Sequence, residues 1–317
     1  MEQEQALLHL ASPCAPPGAW WSLAFRLGTP LAAATGSPRI PRAIYGGPMS
    51  LYPSSGATSA ALATPLPRLD VEGFLADGFA LKAQLAPFLQ LDDAALEALL
   101  PQATAQLAAL HPGAVEQVFD PADATRFYED TVGTAHLIEL AAWHLGSADY
   151  IADTLRLQAR FARGQVLDFG GGIGSHALAA AALPQVEQVW FVDLNPHNRA
   201  FVAARAEALG LAAKLRCFRD LDDPALPPQF DTIVCLDVLE HLGDPAAQLE
   251  IFAGRLTGSG VALLNWYFFK GFNGEYPFHF DDEALVNRFF ATLQRRFLEV
   301  FHPFLITTRA YRLQAPA

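Results

Sequence analysis

The sequence predicts an α/β protein, a sheet with helices on both faces preceded by a helical segment. Three observations carry this. From residue 165 onward, short apolar runs alternate with helical patterns. Residues 70–164 instead read as helical, with apolar positions recurring every three to four residues where the pattern is clearest. In a chain of 317 residues, 52% hydrophobic and 17% charged, there is material for a large core, which excludes global disorder.

In chain order, residues 1–69 stand apart. They hold ten prolines, four arginines and two acids, and are rich in Gly, Ser and Ala without a sustained period. A disordered or loosely packed extension is expected there. Trp20 and Trp21 are candidate anchors, and Met49, the only methionine besides Met1, is an alternative translation start. Residues 70–164 follow as a helical region. Asp92-Asp93 caps a run to Leu100, Pro101 suits the first turn of the next helix, and Asp120-Pro121 repeats that signal. Ala135–Trp143 is an amphipathic helix ended by Gly146-Ser147, and Ala148–Phe161 is another. Residues 165–317 alternate. Strands are expected at Gln165–Phe169, Gln188–Asp193, Leu215–Phe218, Thr232–Leu236 and Gly260–Trp266. Helices are expected from the glycine loop to Leu183, at Pro196–Leu209, from Pro245 and at Asp281–Gln294. Phe297–Phe301 and Phe304–Arg312, parted only by His302-Pro303, suggest two closing antiparallel strands.

Composition removes several functions. A net charge of −12 argues against a general nucleic-acid binder, which needs a basic face. Cys14, Cys217 and Cys235 give neither a disulfide framework nor a CxxC metal pair, so a reducing cytosol is the expected compartment. No apolar run reaches the roughly 18 residues of a membrane span, and the Met-Glu-Gln-Glu-Gln start lacks the basic opening of a secretory signal.

The strongest chemical signal is Val166-Leu167-Asp168-Phe169-Gly170-Gly171-Gly172-Ile173-Gly174. Glycines after an apolar strand permit a sharp strand-to-helix turn and let a ligand lie on the backbone. Free N–H groups at the next helix start favour a carboxylate, and an acid at the strand end can meet an ammonium. A ligand bearing both groups is an amino acid. Asp193 ends the next strand, where a carboxylate suits ribose hydroxyls. Asp220 follows the third strand, where it could accept from an adenine amino group, and Phe230 to Leu242 gives a fourth strand with a polar exit.

Together these residues resemble the class I S-adenosylmethionine-dependent methyltransferases, small-molecule type. Asp168–Gly174 resembles the family's glycine motif, Asp193 its ribose-binding acid, and Asp220-Leu221 its adenine-contact pair. Phe230-Asp231 through His241-Leu242-Gly243-Asp244-Pro245 resembles its fourth-strand region. The resemblance covers residues 165–312. It implies a Rossmann-like seven-stranded sheet with its last strand antiparallel, and S-adenosylmethionine as cofactor. It also implies a cofactor site of Asp168, Gly170, Gly172, Gly174, Asp193, Leu194, Asp220, Leu221 and Asp237. The helices of 70–164 would form a cap, with Tyr128, His136 and Tyr267 lining the acceptor pocket. The partner expected is a small-molecule acceptor methylated on O, N or C. A cofactor-binding scaffold without transferase activity is the alternative. A nicotinamide enzyme is a further one, since Gly172–Ala177 fits GxGxxA. Asp168 speaks against it, because a carboxylate there would repel a pyrophosphate.

Catalysis of this kind needs mainly in-line alignment of nucleophile and methyl. His241, just after the fourth strand, is the candidate general base for a hydroxyl acceptor. His136 and His144, eight residues apart on one helix, are read first as structural, and His176 as a helix residue without a role. His279-Phe280-Asp281-Asp282 invites a metal reading, but neighbouring residues point apart and an Asp pair also starts a helix. No metal is expected. The fifth strand ends Asn265-Trp266, unlike the paired Asp-Asn of metal-dependent catechol-type members. No Asn/Asp-Pro-Pro-Tyr follows the fourth strand, which disfavours a nucleobase or amide nitrogen acceptor. The aromatic stretch Trp266–Phe269, with Phe272, Tyr276, Phe278 and Phe280, suggests an apolar or aromatic acceptor.

Overall fold

A computed structural model describes residues 68–110, 121–272, 276, 278–301 and 307–315. The expected extension, the Asp120 cap and the His302-Pro303 turn lie outside the described residues. Those described belong to one unit, Ala63–Ala317.

Seven strands form one sheet: β1 (Gly164–Phe169), β2 (Val186–Val192), β3 (Leu215–Phe218), β4 (Phe230–Cys235), β5 (Leu256–Leu264), β6 (Phe297–Phe301) and β7 (Arg309–Leu313). Their order is β3-β2-β1-β4-β5-β7-β6. β1 to β5 pair in parallel, and β7 runs antiparallel to both β5 and β6. The chain winds outward from β1 to β3, then returns to place β4 on the other flank of β1. That reversal is a topological switch point, and in open α/β sheets ligands bind at the strand C-termini there.

The core follows from period-two alternation. Val166, Val234, Val261 and Leu263 turn to one face, while Leu167, Ile233, Ala262 and Leu264 turn to the other. The first face is covered by α7 (Ala148–Phe161), α8 (Ser175–Ala182) and α9 (Pro196–Ala208). The second is covered by α10 (Pro245–Arg255) and α11 (Glu283–Arg296). In α8 seven of eight residues are buried, and its alanines let the helix lie close on the sheet. Pro196 and Pro245 open their helices, and Asn195 and Asp244 cap them through the N–H groups of His197 and Ala247.

Upstream lie α1 (Val71–Asp77), α2 (Leu81–Phe88), α3 (Asp93–Leu99), α4 (Ala103–Ala109), α5 (Pro121–Arg126) and α6 (Ala135–Gly146). Asp92 caps α3 by accepting from Ala95 N–H at 2.7 Å, and Pro101 sits in a 3₁₀ turn before α4. Between α5 and α6, residues Phe127–Thr131 form one turn of π-helix carrying Tyr128. Buried residues of α2, α3 and α6 pack with Ile173 of the glycine loop and Phe201 of α9, so the helical region sits on the sheet's switch point.

Candidate functional site

The glycine loop departs from β1 at Gly170. Gly170, Gly172 and Gly174 have φ of 70°, 55° and 75°, left-handed values that side chains resist. Space is short as well. A Cβ on Gly170 would sit 2.5 Å from Val238, and one on Gly174 2.6 Å from Val202. Gly170 N–H bonds the Val192 carbonyl at 2.7 Å, which ties the loop to β2.

Two acids flank this loop. Asp168 is 3% exposed, and its Oδ2 has no hydrogen-bond partner among the described residues. Burial, aided by the nearby Asp193 charge, pushes its carboxyl up to about 7. Asp193, directly after β2, accepts from Gly172 N–H at 2.9 Å, from Asn195 N–H at 2.8 Å and from the Asn198 amide at 3.2 Å. Burial raises it to about 6 against the pull of these donors. The Asn198 amide also reaches the second oxygen at 3.3 Å, so a ligand hydroxyl would take the place of this long, shared contact. Leu194 follows half-buried, with its carbonyl bonded by Arg199.

The other strand ends complete the edge. Asp220, after β3, accepts from Arg219 at 2.5 Å and from Asp222 N–H at 3.0 Å, and Leu221 is buried beside it. Arg219 also grips Glu129 through two hydrogen bonds of 2.5 and 2.7 Å, joining the π turn to the exit of β3. Asp237, after β4, has a φ of 54°. Its N–H donates to Asn265 Oδ1 at 2.5 Å, and its Oδ1 accepts from Asn265 Nδ2 at 3.1 Å. Burial lifts Asp237 to about 6.

A second group gathers beside β4 and β5. His241 Nδ1 lies 3.1 Å from the Phe278 carbonyl and 3.2 Å from Tyr128 Oη. A carbonyl only accepts, so Nδ1 carries the proton and Nε2 keeps its lone pair. Burial, and then the neighbouring His279, drives His241 down to about 3. Tyr128 is raised by burial and contacts both His136 (ring centroids 5.4 Å apart) and His241 (5.7 Å). His136 accepts from Asn198 at 3.2 Å, which links it to Asp193, and burial holds it at about 4. Tyr267, 37% exposed, reaches the group through His279 at 5.9 Å. Tyr128, His136, His241 and Tyr267 therefore share one neighbourhood. His144 and His176 lie apart, bonded to Ser175 at 3.0 Å and Thr154 at 2.8 Å.

Glu139 and Glu240 carry no weight in the sequence reading, and His279 is weighed there only together with Asp281 and Asp282. Glu139, on α6 with His136, is pushed up to about 7 by burial. Glu240 is 1% exposed and rises to about 8 through burial and Asp237. His279 faces His241, 4.7 Å away between ring centroids. The available signal was an acid-histidine pair after one strand and a lone histidine after the next, but only the fold joins positions 38 residues apart.

A seven-stranded sheet with a glycine loop and acids at the switch point defines a class of nucleotide-type binding domain, and comparison with known proteins narrows it. Residues 142–269 match a family model described as a methyltransferase domain. That match takes in less than half of the chain, and over this part the chain is similar to methyltransferase domains. Two curated relatives are ubiquinone biosynthesis O-methyltransferases. That of Psychrobacter arcticus is 34% identical over 107 residues, 32% of this chain and 40% of the relative. That of Paracidovorax citrulli is 31% identical over 169 residues, 49% of this chain and 63% of the relative. The chain thus spans less than two thirds of the relatives it matches. Among solved structures, the YcgJ protein from Bacillus subtilis is 20% identical with a TM-score of 0.38, covering 47% of this chain and 70% of that one. No helix among the described residues is long and apolar enough to cross a membrane.

Proposed function

We propose that the protein transfers the methyl group of S-adenosylmethionine to a small-molecule acceptor. The observation that carries this is Asp168, a buried carboxylate oxygen without a donor beside three left-handed glycines at the head of α8. Such a group lacks a cation, and the cofactor's ammonium supplies one. The loop N–H groups and the start of α8 would face the cofactor carboxylate, Asp193 and Leu194 the ribose, and Asp220 and Leu221 the adenine. Asp237 would border the cofactor from the β4 side.

The bound cofactor brings a sulfonium methyl that is already activated, so the chain's own task is placement. Tyr128, His136 and Tyr267 would wall the acceptor, and their aromatic faces favour an apolar or aromatic molecule. The names of the curated relatives support a hydroxyl as the accepting group. His241, in contact with Tyr128, is the candidate base. Its value of about 3 leaves it weakly basic at neutral pH, so that role requires a bound acceptor to stabilise the imidazolium.

The test is calorimetry with S-adenosylmethionine and S-adenosylhomocysteine, followed by counting S-adenosylhomocysteine released with hydroxylated aromatic acceptors. The expected result is binding of both ligands and product above the no-acceptor background. Absence of cofactor binding would remove the reading, and binding without release across acceptors would favour a scaffold.

A further inference from the structure

One nitrogen each of His241 and His279 and one carboxylate oxygen of Glu240 lie within 4.8 Å of one another. The two rings stand at 81°. Each gives its Nδ1 proton to a backbone carbonyl, His241 to Phe278 and His279 to Phe269, both at 3.1 Å. Each therefore keeps an Nε2 lone pair, with its tautomer fixed from behind. Metal-bound imidazoles have this arrangement, with the second ring nitrogen held by a carbonyl or carboxylate. The third member strengthens the case. Glu240 is buried, backbone N–H groups of Tyr267 and of Glu240 itself approach its carboxylate, and yet Oε2 has no partner among the described residues.

We propose that Glu240, His241 and His279 form a binding site for one divalent transition-metal ion. Two imidazoles and a carboxylate suit ions such as Zn²⁺, Co²⁺ or Mn²⁺, whereas Mg²⁺ and Ca²⁺ favour oxygen donors throughout. Ligands about 2.1 Å from an ion lie at most about 4.2 Å apart, so side-chain shifts of less than 1 Å close the site. Three protein ligands leave a coordination position open. Tyr128, in contact with His241, and Tyr267, beside His279, border the site. Resting on the function proposed above, that position takes an acceptor oxygen and lowers its pKa, which removes the need for His241 as a base.

The test uses the tag-free full-length protein, stripped with a chelator and titrated calorimetrically with Zn²⁺, Co²⁺ and Mg²⁺. One equivalent of Zn²⁺ or Co²⁺ is expected to bind at least about 100-fold more tightly than Mg²⁺. His279→Ala should weaken Zn²⁺ binding at least about 10-fold while leaving S-adenosylhomocysteine affinity and a cooperative thermal melt in place. X-ray absorption of the zinc-loaded wild-type protein supplies a reading that needs no variant, with two imidazoles expected around the metal. Absence of one-equivalent binding, equal affinity for Mg²⁺, or a shell without imidazole would each overturn the site. None of these readouts depends on methyl transfer, so the metal site and the transferase reading can fail separately.

Discussion

Asp168 is the residue whose environment most needs a ligand. Its carboxyl sits at about 7 in the free protein, raised by burial and by Asp193. An ammonium beside it favours the ionised form and lowers that value, so cofactor binding releases a proton near neutrality. The direction follows: affinity for S-adenosylhomocysteine should rise as pH increases from about 6 to about 7.5, over which the free carboxyl ionises. Calorimetry in buffers of different ionisation enthalpy counts the proton, and Asp168→Asn should abolish its release. Asp193 makes a separate prediction. Asp193→Ala removes charge-assisted hydrogen bonds to a ribose and should cost about 1–3 kcal/mol of cofactor affinity. Unchanged affinity in that variant would remove the ribose assignment.

At the level of elements, the helical region is fastened to the sheet by a buried arginine. Arg205 of α9, 1% exposed, donates to Gln84 of α2 at 2.7 Å, to the Ile173 carbonyl of the glycine loop at 3.0 Å, and to the carbonyls of Gly78 and Phe79 at 3.0 and 3.1 Å. Burial, with no direct carboxylate partner among the described residues, lowers its pKa to about 9. Arg205→Leu would strand several buried carbonyls and should destabilise the fold by about 3–5 kcal/mol, as a shift in urea midpoint at constant slope would show. β1, the glycine loop and α8 were legible because local rules suffice: a short apolar strand, residues without Cβ at left-handed positions, then a small-residue helix. β7 was legible as a strand, but its insertion between β5 and β6 was not, because pairing depends on distant partners. The same holds for the site. Asp168 and Asp193 sit at strand tips that the pattern marks. Arg205–Gln84, Arg219–Glu129 and His241–His279 join positions 121, 90 and 38 residues apart, and no spacing rule links them. In the sequence His279 stands beside Asp281 and Asp282. Asp282 instead caps α11 through Leu285 N–H at 2.8 Å, while His279 turns to His241.

For the whole molecule, buried acids and buried histidines set the pH response. Asp168 and Glu139 hold their protons to about 7 when folded, far above an ordinary carboxyl, so the stability they contribute is full below about 4 and is lost as pH rises through 7. His136 and His176 stay neutral down to about 4, so their contribution is lost as pH falls below about 6.5. The two effects oppose each other between about 4 and 6.5, and only the acids act above that. The melting temperature of the ligand-free protein should therefore fall from about pH 6.5 to about 7.5 and level off above that, and S-adenosylhomocysteine should reduce the fall by pairing its ammonium with ionised Asp168. A differential scanning series with and without ligand checks both. The contact between α6 and the loop beneath it has one more consequence. A Cβ on Gly172 would lie only 2.8 Å from Leu140, and the Arg219–Glu129 pair draws the π turn down as well. Roof and floor lie close together here, so a guest that enters between them is expected to wait until they part. In stopped-flow mixing, the rate of loading should therefore level off at high ligand concentration, and the plateau would measure how often the door opens.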